Sequence, residues 1–75
     1  MVDSSLLMSD YASAVADFDN ALTVEPRAVN ALLWRGYARE KAGQVALALD
    51  DYEHAVAIDP ADRLARANLQ RLRSN

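Results

Sequence analysis

The sequence predicts an all-α fold built from helical repeats, and two observations support this prediction. Segments 10–26 and 44–60 lie 34 residues apart, and each ends at a proline. Self-similarity at such a period is typical of helical repeat arrays. The identical pairs at this offset are Ala12/Ala46, Ala14/Ala48, Asp17/Asp51, Ala21/Ala55 and Pro26/Pro60, and Phe18/Tyr52 is among six pairs that keep their chemistry. The second observation is a helical spacing of apolar residues within the segments between turns.

The first predicted helix covers about residues 5–23. Four large apolar residues recur every three or four positions and therefore lie on one stripe of this helix: Tyr11, Val15, Phe18 and Leu22. Pro26 disfavours the helical conformation at the residue before it, so the helix should end ahead of the proline. The stripe predicts a face that packs against a neighbouring helix.

The second predicted helix covers about residues 29–42. Its apolar pattern uses Ala31, Leu32 and Ala38, together with the stem of Arg35. Gly36 would cost about 1 kcal/mol relative to alanine in a helix interior. We therefore expect it to mark a close crossing with another helix. Gly43 suits a left-handed helix end, and the short turn that follows predicts an antiparallel helical hairpin.

Two further helices are predicted at about 45–57 and 61–73. The third has a stripe made of Val45, Leu49, Tyr52 and Val56, and it ends before Pro60. Asp62 can cap the fourth helix, which continues with Leu69 and Leu72. Large apolar residues expected to form the core are Tyr11, Phe18, Leu22, Leu32, Tyr52, Val56, Ile58, Leu69 and Leu72.

Residues 1–75 therefore form a single helical domain of about one and a half repeats. Residues 1–28 correspond to a partial first repeat, residues 29–60 to a complete repeat, and residues 61–75 to a capping helix. The helix that should precede the first copy is absent or reduced to Met1–Met8. Repeat proteins usually need three or more units. The chain is thus expected either to associate with itself or to be a piece of a longer array.

The segment ALLWRGYAREKAGQVALALDDYEHAVAIDP, residues 31–60, resembles the tetratricopeptide repeat, a helix–turn–helix unit of 34 residues. The resemblance covers 29–62 as a complete unit and 9–28 as a half-unit. The residues that carry it are Leu32, Gly36, Gly43, Ala48, Tyr52, Ala55 and Pro60, with Ala14, Phe18, Ala21 and Pro26 in the first copy. The chain departs from the family's pattern at Leu32, where a larger residue is usual, and at Arg35, where a long apolar residue is common.

The resemblance implies a protein–protein interaction module, because the first helices of this family line a groove that binds peptides or helices of other proteins. By position, the groove residues here are Asn30, Leu33, Trp34, Tyr37 and Lys41. Aromatic residues contribute much of the energy at protein interfaces, so we expect a partner with an apolar anchor. Leu33 and Tyr37 occupy positions where the family's carboxylate clamp needs Lys and Asn, so we expect no such clamp here. The alternative for Trp34 is packing in the core, near Leu64 or Asn68.

Composition and spacing exclude several other functions. The chain has one histidine and no cysteine, which leaves no metal-site pattern, and no acid–base pair or phosphate loop is present. We predict that it is not an enzyme and needs no cofactor, with His54 facing solvent. A net charge of −3 argues against nucleic-acid binding. No apolar run could span a bilayer and no secretory signal is present, so we predict no membrane association and a cytoplasmic location.

Two alternatives to groove binding stay open. The first is a structural role as a homodimer, in which two chains cover the face formed by Tyr11, Val15, Phe18 and Leu22. The second is an accessory segment of a larger multidomain enzyme. The basic end of the chain also has two interpretations: Arg71 and Arg73 favour the negative end of the last helix dipole, or they contact an acidic partner together with Arg63 and Arg66.

Overall fold

The computed structural model describes the backbone of residues 4–74 and the side chains of residues 10–74. Its regular structure consists of four helices: α1 (Ser4–Val24), α2 (Val29–Lys41), α3 (Val45–Ile58) and α4 (Arg63–Ser74). The helices pack in chain order, with α1 against α2, α2 against α3 and α3 against α4. The predicted all-α fold and its four helices are confirmed, with ends that differ by at most two residues.

The turn between α2 and α3 is fixed by backbone hydrogen bonds around Gly43. This glycine has a φ of 88°, in the left-handed region that other residues rarely adopt. Its N–H donates to the Glu40 carbonyl at 3.1 Å, and the Gln44 N–H donates to the Arg39 carbonyl at 2.7 Å. This pair of bonds is the Schellman motif, which satisfies the last carbonyls of a helix. The predicted helical hairpin therefore has its expected glycine turn.

The start of α4 is set by Asp62 rather than by Ala61. The Ala65 N–H donates to the Asp62 carboxylate oxygen Oδ1 at 3.0 Å. A side chain that accepts from the third residue of the helix is an N-cap, so Asp62 itself stands just outside the helix. Ala61 instead belongs to a turn in which its N–H donates to the Asp59 carboxylate at 3.2 Å. The sequence-based start at residue 61 was thus two residues too early.

The core lies between α2, α3 and α4, and small residues let these helices approach closely. Tyr52 and Leu32 are the largest fully buried side chains, at 0% and 1% exposed. Around them the core also contains Leu33, Leu72 and the fully buried alanines Ala48, Ala55 and Ala65. A Cβ placed on Gly36 would lie 2.8 Å from Cε1 of Tyr52. The close helix crossing predicted at Gly36 is therefore confirmed.

The first helix contributes less to this core than its sequence predicted. Tyr11 and Phe18 are only partly buried and lie outside the central cluster. Four other predicted core residues are partly buried and pack against its edge: Leu22, Val56, Ile58 and Leu69. Residues 4–8 continue α1 instead of folding back over it, and residues 1–3 lie outside the described part of the chain. Among the described residues, α1 packs mainly against α2.

Candidate functional site

A groove of about 410 Å³ lies between α2 and α4. Its lining comes from one face of each helix: Asn30, Leu33, Trp34 and Tyr37 from α2, and Leu64 and Asn68 from α4. These α2 residues are spaced three and four apart, so they share a face of the helix. α4 crosses α3 beside them because Ala65 and Leu72 anchor it in the core. The groove is thus a direct result of how α4 docks.

Among the described residues, three of the six exposed large apolar side chains line this groove. Trp34 is 59% exposed, Leu64 is 66% exposed and Tyr37 is 44% exposed, whereas Leu33 is only 8% exposed. Leu33 consequently forms the floor, and the three more exposed side chains form the walls. Large apolar side chains that stay exposed together on a small domain often mark an interaction site.

The two aromatic side chains of the groove hold each other in place. The Trp34 and Tyr37 rings meet edge to face, with centroids 6.1 Å apart and planes at 81°. The Lys41 ammonium lies 5.3 Å from the centre of the Tyr37 ring, within the range of a cation–π contact. Lys41 therefore packs against a wall of the groove and is not among its lining residues.

Four of the five groove residues expected from the family resemblance line the same cavity. The sequence did not identify Leu64 and Asn68 as groove residues, although it named both as neighbours of Trp34 if that side chain were buried. The structure leaves Trp34 largely exposed while placing it in the same groove as these two residues. The available signal for the role of Leu64 was its position outside the stripe formed by Ala65, Leu69 and Leu72 on an otherwise polar helix.

The four residues of the expected self-association face are all partly buried. Leu22 packs against the edge of the core. Tyr11 and Val15 line a second cavity of about 250 Å³, together with Ala42 and Gln44 at the α2–α3 turn. Packing on α2 therefore covers part of this face, as its sequence led us to expect, and leaves part of it accessible.

An ion-pair network on the other side of α2 fixes the position of this helix. Arg35 donates to both Asp51 carboxylate oxygens, at 2.6 and 3.1 Å, and to Asp19 at 2.6 Å. Arg39 donates to Asp51 at 3.0 Å. Asp51 is 2% exposed, and its hydrogen bonds, followed by that of Asp19, raise the pKa of Arg35. Sequence reasoning missed this network because it treated Arg35 as an apolar stem.

A second ion pair involves Arg71, one of the two basic residues in the last turn of α4. Arg71 donates to both Glu40 carboxylate oxygens, at 2.6 and 3.1 Å, and also to Asn68 at 3.0 Å. It ties α4 to α2 next to the groove, which neither the helix-dipole interpretation nor the acidic-partner interpretation predicted. Beneath this pair, burial and then the charge of Glu40 raise the pKa of Tyr52 to about 12.

The residues considered for catalysis do not converge. His54 and Asp50 are exposed on α3, whereas the neighbouring Asp51 is buried in its ion pairs. Within residues 4–74, no group of histidine and acidic residues is arranged to hold a metal ion. No helix in that range combines the length and apolar character that a membrane span requires.

Comparison with known proteins agrees with this architecture. Residues 3–63 match the family model described as tetratricopeptide repeat. Such repeats generally mediate protein–protein interactions and are typically non-catalytic. Over 68 residues the chain is 32% identical to "Translocon at the outer membrane of chloroplasts 64" of Pisum sativum, a match that spans 91% of this chain and 12% of that protein. No solved structure matches significantly. The chain belongs to the tetratricopeptide repeat family.

Proposed function

We propose that this chain is a protein-interaction module whose α2–α4 groove binds an apolar side chain of a partner peptide or helix. The observation that carries the proposal is the exposure of Trp34 and Leu64 on opposite walls of one cavity, with Leu33 as its floor. A side chain inserted between the walls would contact all three residues.

The apolar area available in the groove sets the expected affinity. A ligand that covers on the order of 200 Å² of Trp34 and Leu64 would gain about 5 kcal/mol at ~25 cal/mol per Å². The entropy lost on association offsets much of this gain. A single anchor should therefore bind weakly, with a Kd on the order of 1 mM or weaker, and tighter binding requires further contacts along the partner.

The polar groups of the groove favour a neutral ligand over a carboxylate. The lining contains the side-chain amides of Asn30 and Asn68 and no basic residue. Two cations contact the lining residues from outside the groove: Lys41 packs over Tyr37, and Arg71 donates to Asn68 while it is paired with Glu40. Amides can donate to and accept from a peptide backbone, so they would orient the chain that carries the anchor. Binding should consequently depend little on salt concentration.

The fluorescence of Trp34, the only tryptophan, tests the proposal directly. The probes are short, otherwise neutral peptides that carry one Leu, Phe or Trp, with a Gly/Ser peptide as the control. Because anchor binding removes Trp34 from water, the Leu and Phe peptides should shift its emission to the blue. The Trp peptide, which adds its own fluorescence, is followed by calorimetry.

Two matched leucine variants show whether the groove is responsible. Leu64→Ala removes a groove wall, whereas Leu47→Ala removes a leucine on α3 that is 44% exposed and does not line this groove. Calorimetry compares the variants, because Trp34→Ala removes the fluorophore. Leu64→Ala and Trp34→Ala should each weaken binding about tenfold, which corresponds to ~1.4 kcal/mol, and Leu47→Ala should leave it unchanged. Equal effects of the two leucine variants, or no binding of any anchor peptide, would refute the groove proposal.

The match to a longer protein is compatible with the alternative that this chain is an accessory segment of a larger multidomain enzyme. The chain spans 12% of the pea relative, so repeats of this kind also occur as segments of larger proteins. In that setting the same groove would hold a partner for the rest of the chain. Absence of nucleic-acid and membrane binding, and a cytoplasmic location, remain predictions from composition alone.

A further inference from the structure

The repeat register extends to α1 and α4, which each correspond to half of a helical hairpin. At the 34-residue offset, α1 is the counterpart of α3, and α4 is the counterpart of α2. Ala31 and Ala38 are buried on α2, and their counterparts Ala65 and Leu72 are buried on α4. Among the described helices, α1 thus corresponds to the second helix of one hairpin, and α4 corresponds to the first helix of another.

A groove of about 440 Å³ lies on α4 at the position that α3 occupies on α2. Its lining residues are Val56, Arg66, Leu69, Gln70, Arg73 and Ser74. Arg66 and Gln70 are the counterparts of Leu32 and Gly36, and Gly36 is where α2 meets Tyr52 of α3. The groove therefore corresponds to the surface of α2 against which α3 packs. No described helix of the same chain occupies it.

We infer that α1 of a second copy occupies this groove, so that α4 of one chain and α1 of the next complete a helical hairpin. The inference does not depend on the α2–α4 groove. α1 carries the pattern of α3, with Phe18 in the place of Tyr52 and Ala14 in the place of Ala48. Phe18 is only partly buried by its own chain and could complete its burial against α4.

Charge complementarity selects this occupant. The described helix α1 contains three aspartates without a basic residue, whereas α4 contains four arginines without an acidic residue. Asp19 and Arg71 are each paired within the chain, which leaves Asp10 and Asp17 on α1 and Arg63, Arg66 and Arg73 on α4. Opposite charges at the two ends of a molecule favour head-to-tail contact and disfavour contact between identical ends. Two copies of α1 placed face to face would instead bring their acidic residues together.

The repeat register also names the ion pair that forms across the contact. In the complete hairpin, Asp51 of α3 accepts from Arg39 of α2 at 3.0 Å. The counterpart of Asp51 is Asp17, and the counterpart of Arg39 is Arg73. Both are exposed and have no ion-pair partner among the described side chains. Asp17 of one copy would therefore pair with Arg73 of the next.

The contact between α4 and α1 of another copy should be weaker than the contact between α2 and α3 within one chain. Arg66 and Gln70 replace a leucine and a glycine, so α1 cannot approach α4 as closely as α3 approaches α2. Each copy uses a different surface at each end, which makes the contact heterologous and allows chains to add without limit. The average mass should consequently rise with concentration beyond that of a dimer, and added salt should lower it.

Sedimentation velocity across a concentration series tests the inference with a charge swap. Asp17→Lys and Arg73→Asp each place like charges at the contact and should weaken association at least about fivefold. An equal mixture of the two variants should recover association, because each resulting contact pairs a positive with a negative side chain. Both positions are exposed, so the variants should keep the helix content of the wild type.

Asp50→Lys is the matched control. Asp50 is exposed on α3, does not belong to α1 and is not among the residues that line the α4 groove. It changes the net charge by the same amount as Asp17→Lys and should leave association intact, as should Trp34→Ala. A chain that stays monomeric at every soluble concentration would overturn the inference. Association that Arg73→Asp leaves unchanged would do the same and would favour the face-to-face dimer.

Discussion

Helices α1 and α3 have the same sequence pattern but very different surroundings. Tyr52 is fully buried, whereas its counterpart Phe18 is partly exposed. Asp51 is 2% exposed and paired with two arginines, whereas its counterpart Asp17 is exposed. The difference arises because α3 packs against both α2 and α4, while α1 packs mainly against α2 among the described residues.

This difference shows that a repeat sequence specifies which face can be buried, and that the neighbouring helices determine whether it is buried. In repeat proteins, stability is approximately a sum of the terms within each repeat and the terms between neighbours. Equal substitutions in α1 and α3 should therefore have unequal effects, and the size of the difference measures the contribution of the neighbouring helices.

The largest expected difference comes from the aromatic pair. Tyr52→Ala should lower the free energy of unfolding by about 3–5 kcal/mol, since it leaves a cavity beside Gly36 at the centre of the core. Phe18→Ala removes a partly exposed ring and should cost about 1–2 kcal/mol. Urea unfolding followed by circular dichroism measures both values. If Tyr52→Ala fails to fold, Tyr52→Leu gives a smaller loss that can be compared with Phe18→Leu.

Equal losses for the two aromatic substitutions would contradict the comparison. They would mean that α1 is covered in solution as completely as α3. Such a result at high protein concentration, lost on dilution, would instead support the association of α1 with α4 of another copy.

The buried aspartate should give the second largest difference. Asp51→Asn removes the charge that holds Arg35 and Arg39, and we expect a loss of about 2–3 kcal/mol. This value lies below that of a fully buried pair because both arginine side chains are 18% exposed. Asp17→Asn should change the free energy of unfolding by less than about 0.5 kcal/mol. Thermal or urea unfolding of both variants in dilute solution provides the measurement.

The smallest expected effect comes from making α3 resemble α1 at the aromatic position. Tyr52→Phe removes a hydroxyl that has no hydrogen-bond partner among the described side chains, so stability at neutral pH should change by less than about 1 kcal/mol. The raised pKa of Tyr52 means that folding favours the neutral phenol. The corresponding stability is present below about pH 10 and is lost as the pH rises through about 12.

Urea midpoints at about pH 9 and about pH 11 therefore distinguish wild type from Tyr52→Phe. The wild type should lose more stability between these two values, because its unfolded state releases a proton that the folded state retains. Parallel curves for the two proteins would show that Tyr52 ionises normally in the folded chain.

Most of the fold could be predicted from the sequence because its signals are local. The two prolines, Gly43 and the spacing of apolar residues are each properties of a short segment, and the 34-residue period shows that one such segment recurs; together they locate all four helices. The burial of individual residues could not be predicted in the same way. Tyr11 and Phe18 have the apolar pattern of a core helix, but their burial depends on a neighbour that the pattern does not specify.

The groove was predicted only on the side that belongs to a recognisable repeat. Asn30, Leu33, Trp34 and Tyr37 follow from their positions in α2. The opposite wall depends on the angle at which α4 crosses α3, and that angle is set by side-chain packing in the core that spacing along the sequence does not specify. The Glu40–Arg71 pair spans 31 positions for the same reason, so no spacing rule indicated it.

The guanidinium of Arg35 donates hydrogen bonds to carboxylates on two other helices. These two links should differ in how readily they open by local unfolding. The side chain of Asp19 is 49% exposed, whereas the side chain of Asp51 is buried. When α1 frays, the first link opens and the second remains. Protection from amide exchange should accordingly be lost first along α1. The amides of α2 and α3 should exchange together, in the rarer opening that exposes their shared charges.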